Sequence, residues 1–117
     1  MPVHFHDVMS IETSGLPRWS TFYNKEIIYD RKGFLDSYKD VSGQEKEQVK
    51  KQIGHLAEFG GRYASLDTHP LENELPHTPK GSFYSAVSDR LRVTWSIERE
   101  KKRLVIHALL PRGHIFK

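Results

Sequence analysis

The chain has 117 residues, a formal net charge of +3 and no cysteine. That length suits one domain of roughly 100–150 residues, and the absence of thiols excludes disulfides, thiolate metal sites and a cysteine nucleophile. With 37% hydrophobic and 28% charged residues, an N-terminus without a signal-peptide pattern and no apolar run near the roughly 20 residues of a membrane span, it reads as a folded cytoplasmic protein without membrane contact.

Residues 1–19 mix Pro2, Gly15 and Pro17 with scattered polar residues and read as an N-terminal extension, leaving 20–117 as the folded domain. His4, His6 and Asp7 do not make a metal site, because two imidazoles two residues apart in an arm lack further fixed ligands. Ser20 to Tyr29 is β-prone, with Phe22, Tyr23, Ile27, Ile28 and Tyr29. Arg31 to Val41 then sets Phe34, Leu35, Tyr38 and Val41 at helical spacing, although Gly33 weakens it. Ser42-Gly43-Gln44-Glu45 has the form of a capping box, and Val49, Ile53, Leu56 and Ala57 continue on one face until Gly60-Gly61 ends the helix. His55 on that helix reads as a surface residue. Residues 60–79, punctuated by Pro70, Pro76 and Pro79, form a long connection of the kind that often carries function.

Beyond residue 80 the period changes to two. Phe83 to Val87, Leu91 to Ile97 and Leu104 to Leu110 alternate as three successive strands joined by short connections, so they should be antiparallel neighbours. The third is apolar on both faces and should lie inside the sheet. Leu91, Val93, Trp95 and Ile97 face the helices in this reading, which makes Trp95 a core residue and sends Arg92 out of the opposite face. Arg112 and His114 follow the third strand, so they can converge on Arg92. Residues 79–117 hold nine basic and three acidic residues, a net +6, and such a concentration favours a polyanionic partner. His107, among apolar neighbours, reads as a hydrogen-bonded sheet histidine. No glycine-rich phosphate loop, nucleophile elbow or HExxH is present, so nucleotide-cofactor, serine-hydrolase and zinc-protease chemistry have no support and no cofactor is expected.

In this order the segments resemble the RelE/ParE superfamily of small bacterial toxins. The pieces that carry the resemblance are His69-Pro70-Leu71, Pro79-Lys80-Gly81-Ser82-Phe83-Tyr84, the Arg-led strand Arg92-Val93-Thr94-Trp95-Ser96-Ile97 and the ending Arg112-Gly113-His114-Ile115-Phe116. That ending is similar to the tails of the YafQ-like and YoeB-like messenger-RNA interferases. The resemblance implies an α+β fold with two N-terminal helices packed on a small antiparallel β-sheet. It also implies a metal-independent endoribonuclease that cleaves messenger RNA at the ribosome through the 2′-hydroxyl, with a cognate antitoxin as partner. On this chain it makes Arg92 and Arg112 the phosphate clamps, His114 the acid–base group and Phe116 a base-stacking platform, with Lys80 and His77 as supporting RNA contacts. Phe116 stands where many members carry a catalytic Tyr, so His114 takes the proton transfer, with His77 and His69 as further imidazoles. The rival readings are a ParE-like inhibitor of DNA gyrase that does not cleave, and a binding or regulatory protein that kept the fold.

Overall fold

The computed structural model describes residues 13–115. Two strands come first. β1 (Trp19–Ser20) turns back as β2 (Lys25–Tyr29), with Trp19 opposite Glu26. The chain then enters α1, a π-helical turn Arg31–Leu35 that runs into a single α-helical turn Asp36–Tyr38. Asp30 caps it, its carboxylate accepting from the Gly33 N–H at 2.7 Å. α2 (Gly43–Phe59) starts as the capping box requires, the Ser42 hydroxyl accepting from the Glu45 N–H at 3.1 Å. A 3₁₀ turn (Ala64–Leu66) and β3 (His69–Pro70) lead through residues 71–82 into β4 (Phe83–Ala86), β5 (Leu91–Glu98), β6 (Arg103–Pro111) and a last helical turn, α3 (Arg112–Ile115).

The strands form one sheet in the order β1-β2-β6-β5-β4-β3. β6 lies between β2 and β5, as its apolar residues on both faces suggested. β2 pairs with it in parallel, Ile27 opposite Leu104 and Tyr29 opposite Ile106, while the remaining pairings are antiparallel. The expectation of two N-terminal helices on an antiparallel sheet therefore needs correction. Two strands precede the helices, and the sheet is six-stranded and mixed, because the connection through α1 and α2 allows β2 to lie parallel beside β6.

Both helices cover one face. Phe34, Val49, Ile53 and Leu56 are at most 1% exposed and pack with Ile27, Leu104, Ile106, Val93 and Trp95. Each such aliphatic or aromatic side chain stabilises the fold by about 1.5–3 kcal/mol through removal from water. Polar groups on this face are all tied. The Trp95 indole N–H donates to the Ser85 hydroxyl at 2.9 Å. The Gln52 amide donates to the Ser65 and Ala86 carbonyls at 3.0 and 2.9 Å, fastening α2 to the 3₁₀ turn and β4.

The strict alternation read for β6 breaks once. Thr94 pairs with Ala108 but Trp95 pairs with Ile106, so His107 is the extra residue of a β-bulge. Before it Leu104 and Ile106 face the helices; after it Leu109 does, and Ala108 and Leu110 turn to the opposite face. Without the bulge Leu110 would compete for the helical side and the end of β6 would be aimed elsewhere.

Candidate active site

The face away from the helices carries Arg92, His69, Tyr84 and Thr94. Its rows follow from the register: His69, Tyr84, Thr94 and Ala108 lie side by side, and Ala86, Arg92 and Leu110 form the next row, about 7 Å along the strands. Arg92 thus stands on the face that its alternation with Val93 and Trp95 requires, half-buried. Its Nη1 donates to the carbonyls of Ser88 and Leu91 at 2.6 and 2.9 Å, so the guanidinium is fixed against the β4–β5 turn. These two backbone acceptors help to hold the guanidinium in place.

Arg112 opens α3 next to that turn. Its backbone N–H donates to the Arg90 carbonyl at 2.7 Å, and Leu91 faces Pro111. Arg90, Arg92 and Arg112 therefore surround one corner of the sheet, with Arg112 and His114 exposed on α3. Arg90 is engaged by Glu45 of α2 at 2.9 Å. That hydrogen bond and the guanidinium charge hold the Glu45 carboxyl below its ordinary range, assisted by Ser42. Ile115, buried at 4% exposure, anchors α3.

A second group sits one row away. β3 brings His69 alongside Tyr84, their rings stacked with centroids 5.5 Å apart. His69 Nε2 lies 3.0 Å from Asp67 Oδ1, so a carboxylate orients the imidazole. Asp67 reaches it because it ends the 3₁₀ turn in a left-handed conformation, φ +45°. His69 and Tyr84 share a cavity of about 440 Å³ with Pro70, Leu71, Glu72, Asn73 and Ile115. Ile115 of α3 and His69 consequently border common space.

The connection through residues 71–82 crosses this face. Thr78 Oγ1 lies 3.0 Å from Thr94 Oγ1, which leaves Thr94 fully buried. His77, at φ +60°, packs over Gly33 at the start of α1: a Cβ built on Gly33 would meet the His77 Cβ at 2.8 Å and strike the His107 carbonyl oxygen. Lys80 is exposed on the same connection, 3.9 Å from Glu74. His77 and Lys80 are thus grouped with the loop, whereas Arg92 lies at the β4–β5 turn and Arg112 and His114 lie on α3, which joins that turn through the Arg112 N–H and the Arg90 carbonyl. Phe116 lies outside the described residues, as do His4, His6 and Asp7.

His107, the bulge residue, is a bonded sheet histidine, with Nε2 2.7 Å from the Ser96 hydroxyl. Burial pushes its pKa below the usual imidazole value, against the opposing pull of Asp30 and Glu98. Asp67 and Tyr84 are the site residues that sequence reasoning passed over. The Asp-x-His spacing of residues 67–69 was the available signal for the first, and the polar-face parity of β4 was that for the second. Among the described residues no cluster of His, Asp or Glu could hold a metal ion, and no helix is long and apolar enough to cross a membrane.

No family profile matches the chain, and no curated protein sequence is similar to it. Solved structures are. A chain of the archaeal RelE–RelB complex from Pyrococcus horikoshii matches with a TM-score of 0.59 at 14% identity, covering 83% of this chain and 98% of that one. The chain has the fold of the RelE/YoeB toxins. The YoeB dimer from Staphylococcus aureus matches at a TM-score of 0.56 and 10% identity over 79% of this chain and 94% of that chain. A metal-bound toxin from Helicobacter pylori gives the same TM-score at 18% identity, over 79% of this chain and 99% of its own.

Proposed function

We propose that this protein is the toxin of a toxin–antitoxin pair and that it cleaves messenger RNA at the ribosome. The observation that carries the reading is the corner where Arg92, fixed by two carbonyls, lies beside the α3 turn that bears Arg112 and His114. Arginine suits a phosphate that gains charge in a transition state, because its planar donors grip two oxygens at once. In the cleavage step the substrate's own 2′-hydroxyl loses its proton to a base and attacks the adjacent phosphorus. The bond from phosphorus to the 5′-oxygen breaks, and an acid protonates that oxygen, leaving a cyclic phosphate. The two imidazoles are the Asp67-oriented His69, which lines the cavity, and His114, which precedes the cavity-lining Ile115 in α3. Lys80 and His77 meet the flanking RNA from the loop, and Phe116 supplies a stacking surface on the tail.

An antitoxin partner is supported by the neighbour that was solved as a RelE–RelB complex. Its expected chemistry is a stretch of acidic residues over Arg92 and Arg112 together with an apolar segment across the helices or sheet.

The test is expression of the wild type and of an Arg92→Ala/His114→Ala double variant in a bacterial host without antitoxin, with transcript ends mapped. Growth arrest with new ends in the wild type alone is expected. Arrest with intact transcripts and broken DNA would replace this reading with gyrase inhibition, and no arrest from either protein would leave a binding domain.

A further inference from the structure

The cavity beside α3 has walls of two kinds. One is aromatic and apolar: the His69 and Tyr84 rings, stacked on each other with centroids 5.5 Å apart, and buried Ile115. The other is polar: the exposed residues Glu72 and Asn73, which also border the adjoining cavity lined by Lys80. Neither of these two side chains is engaged in a hydrogen bond or ion pair with another described residue, whereas Glu74 nearby is 3.9 Å from Lys80. At about 440 Å³ the cavity falls within the roughly 300–1,000 Å³ of small-molecule pockets. Tyr84 stands one row, about 7 Å, from the Arg92 row, so a base in this cavity and a phosphate at Arg92 can belong to adjoining parts of one strand.

We propose that this cavity is a nucleobase pocket that selects guanine in single-stranded RNA, an inference that rests on the RNA-cleavage reading. A planar base that extends the His69–Tyr84 stack on one of its rings gains stacking energy whatever its identity. Identity is then read at its Watson–Crick edge. Guanine offers two adjacent donors, N1–H and N2–H, beside the O6 acceptor. A carboxylate accepts both donors at once, and an amide N–H reaches O6, so Glu72 and Asn73 match guanine group for group. Adenine and cytosine each offer one donor next to a ring nitrogen that repels the second carboxylate oxygen. Uracil has a single N–H between two carbonyls. The pocket thus gives this chain a specificity determinant, Glu72, that neither grips the phosphate nor moves a proton.

The experiment uses the full chain and single-stranded hexanucleotides carrying a 2′-O-methyl block, identical except for G, A, C or U at one position, with binding followed by fluorescence anisotropy. Wild type should prefer the G oligonucleotide about tenfold, the effect of one added charge-assisted hydrogen bond. Glu72→Gln should bind all four within about twofold of one another, with an unchanged circular dichroism spectrum. Tyr84→Ala should weaken all four by about tenfold. Transcript-end mapping in cells runs in parallel. New ends in the wild type without base preference in binding, or with a preference that Glu72→Gln retains, would overturn the pocket and leave the nuclease reading standing. Absence of both RNA binding and new ends would overturn the two together.

Discussion

The two faces of the sheet are made of the same strands yet are organised by different forces. On the helical face, apolar side chains from α1, α2, β2, β5 and β6 meet at close to zero exposure, and each polar group there has a partner close by in the fold. On the other face a bulge, a crossing loop and a short last helix hold cations, imidazoles and carboxylates at the surface. Burial stabilises the first face; the second keeps polar groups in fixed positions and contributes less to stability. Substitutions should therefore separate cleanly, with stability lost on one side and activity on the other.

The largest expected effect is on the helical face. Phe34→Ala removes a fully buried ring that stacks on Tyr38 and packs at a tilt against Tyr29 and should cost about 3–5 kcal/mol in urea denaturation. Next comes Arg92→Ala on the open face. It should lower RNA cleavage by about 10²–10³-fold, the scale of removing one oriented donor to a charged transition state. Its stability cost should be about 1 kcal/mol, since the half-buried guanidinium is held through polar contacts such as its hydrogen bonds to two turn carbonyls. If Arg92→Ala instead unfolded the protein with the cost of a core substitution, the division between the faces would fail.

That division also explains what the sequence disclosed. Helices and strands with one buried face show their period directly: Val49, Ile53 and Leu56 mark α2, and Leu91, Val93 and Trp95 mark β5 and so aim Arg92. β2 was legible as a β-prone stretch, but its parallel pairing with β6 is a long-range choice that no local period encodes. The bulge at His107 was hidden for a related reason. β6 is apolar on both sides, so a one-residue change of parity leaves its pattern looking the same. In the site, Arg112 and His114 were placed by following the chain out of a strand. The Asp67–His69 contact depends on a left-handed residue after a 3₁₀ turn, for which Asp is tolerated but gives no period to read.

Gly33 joins the two faces, because the α1 backbone there lies against the His107 carbonyl and the His77 side chain. Gly33→Ala should cost about 1–3 kcal/mol, as overpacking against backbone does, and should also lower cleavage by displacing the bulge and the loop together. Ser42→Ala lies remote from that junction. It removes only the cap of α2 and should cost about 1 kcal/mol, with cleavage unchanged if Glu45 keeps its hold on Arg90.

The smallest expected effect sharpens the comparison most, because it concerns a buried titrating group on the open face. Burial pushes the folded pKa of His107 below the unfolded value of about 6.5, against the opposing pull of Asp30 and Glu98. Below that value the unfolded chain binds a proton that the folded chain resists. Stability contributed by the neutral imidazole is therefore full above about pH 6.5 and declines as the pH falls through the folded pKa. His107→Gln keeps a side chain able to hydrogen-bond Ser96 but removes the titration. Urea midpoints between pH 7.5 and 5 should accordingly fall for the wild type more than for His107→Gln, with the two curves separating only on the acid side. Parallel curves would mean that the Asp30 and Glu98 charges offset the burial of this histidine. The bulge would then be held by its packing against Gly33, with no contribution from a neutral imidazole.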